Sequence, residues 1–121
     1  MIRIKYDFKL ISKDNEKIHN RYGRPFLSRK YKDWETLVKM ETLRQYRGQP
    51  LEGDVKIKII AFFSTRVHCD NTNLYKGCCD AGQGILFKND KQIRYSECLI
   101  MSAKTDYFIV EVDYFFLDKY V

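Results

Sequence analysis

Residues 54–63 read DVKIKIIAFF, and the fold turns on them. Val55, Ile57 and Ile59 alternate with Lys56 and Lys58, the period of a half-buried strand, and from Ile59 onward the segment is wholly apolar, as expected for a strand that runs into the interior of a sheet. Upstream, Gly48 and Pro50 supply a helix stop. Between Arg29 and Tyr46 there is neither Gly nor Pro, with Tyr31, Trp34 and Val38 at helical spacing, Leu37 beside them and Ser28 able to cap, so a first helix is predicted there. Residues 1–11, MIRIKYDFKLI, alternate Ile2, Ile4, Tyr6, Phe8 and Leu10 against polar neighbours and predict another strand. The polar turn SKDNEK and a loop holding Gly23 and Pro25 follow, with at most a short extended piece at Phe26 and Leu27.

Downstream of the central segment, residues 72–82 read as a short second helix that ends at Gly82 and Gly84. GILFKNDKQI is an extended connector with a turn at Asn89 and Asp90. IRYSECLIMSA and DYFIVEVDYFF are two further strands, joined through KTD and most simply paired as a hairpin. The expectation is an α+β fold, a single domain over residues 1–121 with a mixed β-sheet and two helices in the order β-α-β-α-β-β.

The composition is 45% hydrophobic and 15% aromatic over 121 residues, enough for one compact core. No run approaches the roughly 20 apolar residues of a membrane span, and the N-terminus alternates charge with bulk rather than forming a signal peptide. A soluble cytoplasmic protein is expected. Cys69, Cys78, Cys79 and Cys98 then read as reduced, buried small thiols, because adjacent Cys78 and Cys79 suit a disulfide framework poorly. A zinc site from His68, Cys69, Cys78 and Cys79 is the alternative, against which stands the absence of ligand pairs two to four residues apart. The net charge of +6 is uneven: residues 20–50 hold eight Lys and Arg against three acids, residues 51–121 nine against ten. A solvated helix face is the ordinary reading, and an electrostatic footprint for a polyanion such as nucleic acid the sharper one.

Acids gather in DNTNLYKGCCDAGQGILFKND, residues 70–90. On a helix, Asn73, Lys76 and Asp80 share one face and Leu74, Cys78 and Ala81 another; Asp70 precedes the helix and Asp90 occupies a later turn that can fold back beside it. Such carboxylates are the hard oxygen ligands Mg²⁺ prefers. They are also, individually, an ordinary N-cap, an i,i+4 pair with Lys76, and a turn acid.

This block resembles the signature of RusA-type Holliday junction resolvases, Asp-x-Asp-Asn-x-x-Lys, a helical Asp four residues later, then Asp-x-Gln with Ile or Val. Asp70, Asn73, Lys76, Asp80, Asp90, Gln92 and Ile93 fall into it in order. HNRYGRPFLSRKYKDW resembles the family's early segment of Asn-Arg-Tyr, a short basic linker and a helix-opening Ser, so the likeness covers about residues 19–93. One position departs: Thr72 stands where the pattern has its second Asp. A hydroxyl can still bind Mg²⁺ or hold a metal-bound water, or His68 or Asp80 completes the site; otherwise catalysis is weakened or lost, and the chain is a non-catalytic branched-DNA-binding protein with a degenerate metal site.

The resemblance implies a symmetric homodimer that binds four-way DNA junctions and nicks two opposed strands with Mg²⁺ or Mn²⁺, in DNA recombination and repair, associated with the nucleoid. It implies a metal site at Asp70, Thr72, Asp80 and Asp90, and Lys76 as the charge that neutralises or fixes the scissile phosphate. Arg21, Arg24, Arg29, Lys30 and Lys32 are the candidate phosphate platform, with Asn20 and Asn73 as further DNA contacts. Tyr22, Phe26 and Tyr31 lie among these cations and are candidates for stacking on junction bases, although such aromatics more often pack in loops or cores. Apolar strands such as YFIVEVDYFF, which a small monomer covers poorly, point the same way as the homodimer.

Overall fold

The computed structural model describes residues 1–11, 29–66, 75–76, 78–79 and 82–116, together with the backbone of 17–19 and 25–27. Its elements are β1 (Ile2–Tyr6), β2 (Lys17–His19), β3 (Pro25–Leu27), α1 (Arg29–Gln45), β4 (Val55–Phe63), a 3-10 helix (Asp90–Gln92), β5 (Ile93–Ser102) and β6 (Tyr107–Tyr114). Four strands make one mixed sheet in the order β1-β6-β4-β5, with β4 parallel to β5 and antiparallel to β6. The expected α+β class and mixed sheet are found. A small antiparallel pair, β2 with β3, was not anticipated by the loop reading.

The central placing of β4 follows from its side chains. Val55, Ile57, Ile59, Ala61 and Phe63 are all buried, the four residues between them are half-buried, and both edges are paired. That placing overturns the expected hairpin: β5 and β6 are not neighbours but straddle β4. The link of four residues, 103–106, crosses over the end of β4. Two strand spacings come to about 9.6 Å, within the roughly 13 Å that four extended residues reach. The crossing is tied down where Ala103 N donates to Phe63 O (3.0 Å) and where Ser64 donates to Asp106 Oδ1 from its amide (2.7 Å) and its hydroxyl (3.1 Å).

Helix α1 lays Tyr31, Trp34, Val38 and Thr42 on the sheet, whereas Leu37 is 46% exposed. Trp34 Nε1 donates to Lys9 O at 2.8 Å, and Gln45 brackets β1 by donating to Lys5 O (2.6 Å) and accepting from Lys5 N (3.1 Å). Phe108 stacks on Tyr6 at 4.3 Å and meets Trp34 at 6.1 Å. The core continues through Cys78, Leu86 and Phe87. Of the expected second helix, residues 75, 76, 78, 79 and 82 are helical and the remainder lies outside the described residues, as does Ser28; α1 is thus the one multi-turn helix among the described residues, against two expected.

Candidate functional site

The turn that carries Asp90 is built by its neighbours. Asn89 caps the 3-10 helix, its Oδ1 accepting from Lys91 N at 2.9 Å, in a capping box closed by Gln92. Gln92 Oε1 accepts from Lys88 N (2.7 Å) and Asn89 N (2.8 Å), while its Nε2 donates to Leu51 O and Gly53 O, both at 2.8 Å. Two acceptor and two donor positions are all the carboxamide has. The turn is therefore fixed to the segment that leads into β4, where Gly53 takes φ +83, a left-handed conformation that favours glycine. Lys88 pairs with Glu52 and Arg94 with Asp54 (3.1 Å) around the same junction. Asp90 stands exposed on this fixed frame.

Tyr75 lies within reach of the Asp90 charge. The half-buried Tyr75 hydroxyl is pushed well above its usual range, first by desolvation, then by Cys79 and the charge of Asp90, while a hydrogen bond with Ser96 of β5 opposes the shift. Lys76, the next residue, is exposed. Cys78 and Cys79 are buried, and burial raises the Cys78 thiol far above its ordinary value, so it packs as a protonated apolar group. Among the described residues no group of three or more His, Cys, Asp or Glu could hold a metal ion, and Cys78 belongs to the core; His68 and Cys69 of the zinc alternative lie outside those residues.

The described part of the basic platform opens α1. Arg29, Lys30 and Lys32 are exposed, and no acid occupies the first turn. Cations there oppose the helix dipole, a local cost; Arg29 recovers part of it from exposed Asp33 at 3.9 Å. The two candidate regions stand toward opposite ends of the sheet. The start of α1 is anchored at Lys9 and Phe108, and Phe108 pairs with Ala61; Asp90 precedes Ile93, which pairs with Val55. Six residues of β4 separate those levels, roughly 20 Å.

With the geometry in view, comparison with known families is decisive: the model of endodeoxyribonuclease RusA matches residues 7–112. The chain belongs to the RusA endodeoxyribonuclease family. No curated protein sequence matches it. As a RusA-family chain it is a DNA-binding nuclease of the class that resolves Holliday junctions in recombination. Among its described residues no helix is long and apolar enough to cross a membrane.

Within this RusA-family chain the structure brings Asp90 within electrostatic reach of Tyr75, the residue before Lys76, and leaves Arg29, Lys30 and Lys32 on the first turn of α1. Asp70, Thr72, Asn73, Asp80, Asn20, Arg21, Arg24 and Tyr22 lie outside the described residues, as does the Phe26 side chain. Tyr31 takes the packing role that was its more ordinary reading, and drops out as a stacking candidate. It is wholly buried, 5.5 Å from Trp34, and so packs in the core rather than stacking on bases, because helical spacing aims it at the sheet. Sequence reasoning had Gln92 only as a position of the family pattern, with no structural role, and passed over Asn89 and Tyr75. The signal for the first two was legible, since Asn-x-x-Gln is a capping-box pattern; Tyr75 carried none.

Proposed function

We propose that the chain is a divalent-metal-dependent endodeoxyribonuclease that, as a homodimer, resolves four-way DNA junctions by paired nicks, in the cytoplasm and on nucleoid DNA. The observation that carries this reading is the exposed Asp90 carboxylate on a turn whose backbone Gln92 fixes through four hydrogen bonds. A carboxylate held in place before its ligand arrives loses little freedom on binding. Asp70, Asp80 and Asp90, with the Thr72 hydroxyl, would hold Mg²⁺ or Mn²⁺; this is an all-oxygen donor set of the kind hard cations take, and Asp90 is its described member. When bound, the ion supplies an activated water and stabilises the leaving oxygen.

The remaining roles belong to the chain itself. Lys76, exposed beside Tyr75, offsets charge that builds on the scissile phosphate. Asn20, Arg21, Arg24, Arg29, Lys30, Lys32 and Asn73 contact the DNA backbone, which positions the junction arms without reading sequence. The α1 bases lie toward the far end of the sheet from Asp90, which suits holding an arm rather than taking part in the cut.

The test is a labelled synthetic four-way junction incubated with the purified chain and Mg²⁺ or Mn²⁺. Paired nicks are expected, lost in Asp90→Asn with junction affinity retained, and reduced about 10–100-fold in Gln92→Ala, whose partner carboxylate is then poorly held. Junction binding without cleavage at any metal concentration would instead favour the non-catalytic reading that Thr72 invites.

A further inference from the structure

The end of the sheet opposite Asp90 gathers cations that take no part in the family pattern. They come from three different connections. Lys9 follows β1, Arg66 follows β4, and Lys104 lies in the crossing between β5 and β6; all three are exposed. The connections are tied to one another and to α1. Lys9 O accepts from Trp34 Nε1 of α1 (2.8 Å), Ala103 N donates to Phe63 O (3.0 Å), and Asp106 Oδ1 accepts from Ser64 N (2.7 Å). Asp106 also registers Lys9, since its carboxyl is held below the usual range first by the Ser64 amide and, in smaller part, by the charge of Lys9.

The fold does not spend these charges. Lys9, Arg66 and Lys104 form no ion pair among the described residues. Acids nearby are already engaged: Asp7 pairs with Lys5 at 3.6 Å, Asp33 with Arg29 at 3.9 Å, and Asp106 is bound to Ser64. At the Asp90 end, by contrast, Lys88 and Arg94 are taken up by Glu52 and Asp54. Arg29, Lys30 and Lys32 on the first turn of α1 add to the excess at the crossing end, where exposed Thr65 and Thr105 supply neutral hydroxyls. Like charges gathered in this way repel one another, and a polyanion laid across them relieves the repulsion.

We propose that Lys9, Arg66 and Lys104 bind the phosphate backbone of a DNA arm at the crossing end of the sheet, well away from the cut. The inference rests on the junction reading above and adds to it a contact at a stated distance. Ile93, just past Asp90, pairs with Val55, and the crossing is bonded at Phe63. Eight steps of β4 separate those levels, roughly 26 Å. At about 3.4 Å per base pair, an arm needs about eight base pairs to touch both. Across the sheet, β1 and β4 are two strand spacings apart, roughly 10 Å. A duplex carries about six phosphate charges over that length, enough to engage all three cations. Such contacts hold the arm without reading its sequence.

Fluorescence anisotropy of a labelled four-way junction, read in EDTA over a range of salt concentrations, tests this on the full chain with cleavage switched off. Lys104→Ala should flatten the slope of log affinity against log salt by about 0.9 for each copy whose patch is engaged, and the triple replacement of Lys9, Arg66 and Lys104 by Ala by about three times as much. Lys104→Arg keeps the charge and should keep the wild-type slope. Arg47→Ala removes the same charge from the exposed far end of α1 and should leave the slope unchanged, so the comparison reports position rather than net charge. On a junction with arms of about five base pairs, roughly 17 Å, closed by hairpin loops, wild type and the triple variant should bind alike. A Lys104→Ala slope equal to that of Arg47→Ala, or a triple-variant deficit that persists on the short arms, overturns the contact. If the slopes behave as expected and the chain still does not cut with Mg²⁺ or Mn²⁺, the contact stands and the metal-dependent reading falls. A wild type that does not bind the junction overturns both.

Discussion

The two faces of the sheet are made by the same strands one residue out of phase, yet they are closed by different means. On the α1 side Val55, Ile57, Ile59 and Ala61 meet Phe108, Val110 and Val112, all buried, and the chain's own helix completes the layer. On the other side the same strands offer Lys56, Lys58, Ile60 and Phe62, half-buried and crossed by the ion pair of Lys58 with Glu97 at 3.9 Å. The first face holds the fold together within one chain. The second carries charge over half of its rows, and no described element covers Leu99 and Met101 in its apolar half.

The sharpest way to break the contrast is Phe108→Ala. Phe108 is fully buried between Tyr6, Phe8 and Trp34, so a loss of about 3–5 kcal/mol is expected in urea unfolding. A cost below about 1 kcal/mol would mean that this face is not the core.

Tyr6→Phe probes the polar element on the same side. The Tyr6 and Thr42 hydroxyls are 2.6 Å apart, and Thr42 Oγ1 gives its single proton to Val38 O at 2.7 Å, so Tyr6 is the donor. Removing it leaves a buried acceptor unfilled and should cost about 1–2 kcal/mol by the same measurement; a neutral result would put the Tyr6 proton elsewhere.

On the open face, Met101→Ser should change the unfolding free energy of the isolated chain, measured at concentrations low enough to dissociate any dimer, by no more than about 0.5 kcal/mol. A loss comparable to that of Phe108→Ala would show that the open face is closed by the chain after all.

The smallest effect is expected at the crossing over β4, which both faces share. Hydrogen bonds from Ser64, the backbone one foremost, hold the Asp106 carboxyl below its usual range. A depressed folded value adds stability above the ordinary carboxylate range, near pH 4, and loses it as pH falls through the folded value. Asp106→Asn should therefore flatten the acid limb of the stability profile slightly below about pH 4. An acid limb that does not change would detach Asp106 from the crossing.

Local pattern determined the elements of this protein. The period of residues 1–11 and 54–63 and the unbroken helical run after Ser28 are properties of neighbours along the chain, and β1, α1 and β4 lie within or at those predicted bounds. The family pattern was also linear, carried by spacings from Asn20 to Ile93. What tertiary structure alone decided was adjacency. Nothing in IRYSECLIMSA or DYFIVEVDYFF says that β4 lies between them, because a short polar link suits a hairpin and a crossing equally, and the choice is made by the apolar area that β4 buries when flanked on both sides. The same holds at the site: Asp90 was legible as a turn acid. That Gln92 spends its whole hydrogen-bonding capacity on the carbonyls of Leu51 and Gly53 and the amides of Lys88 and Asn89 depends on residues some forty positions apart meeting at the head of the sheet, where unpaired backbone groups must find partners.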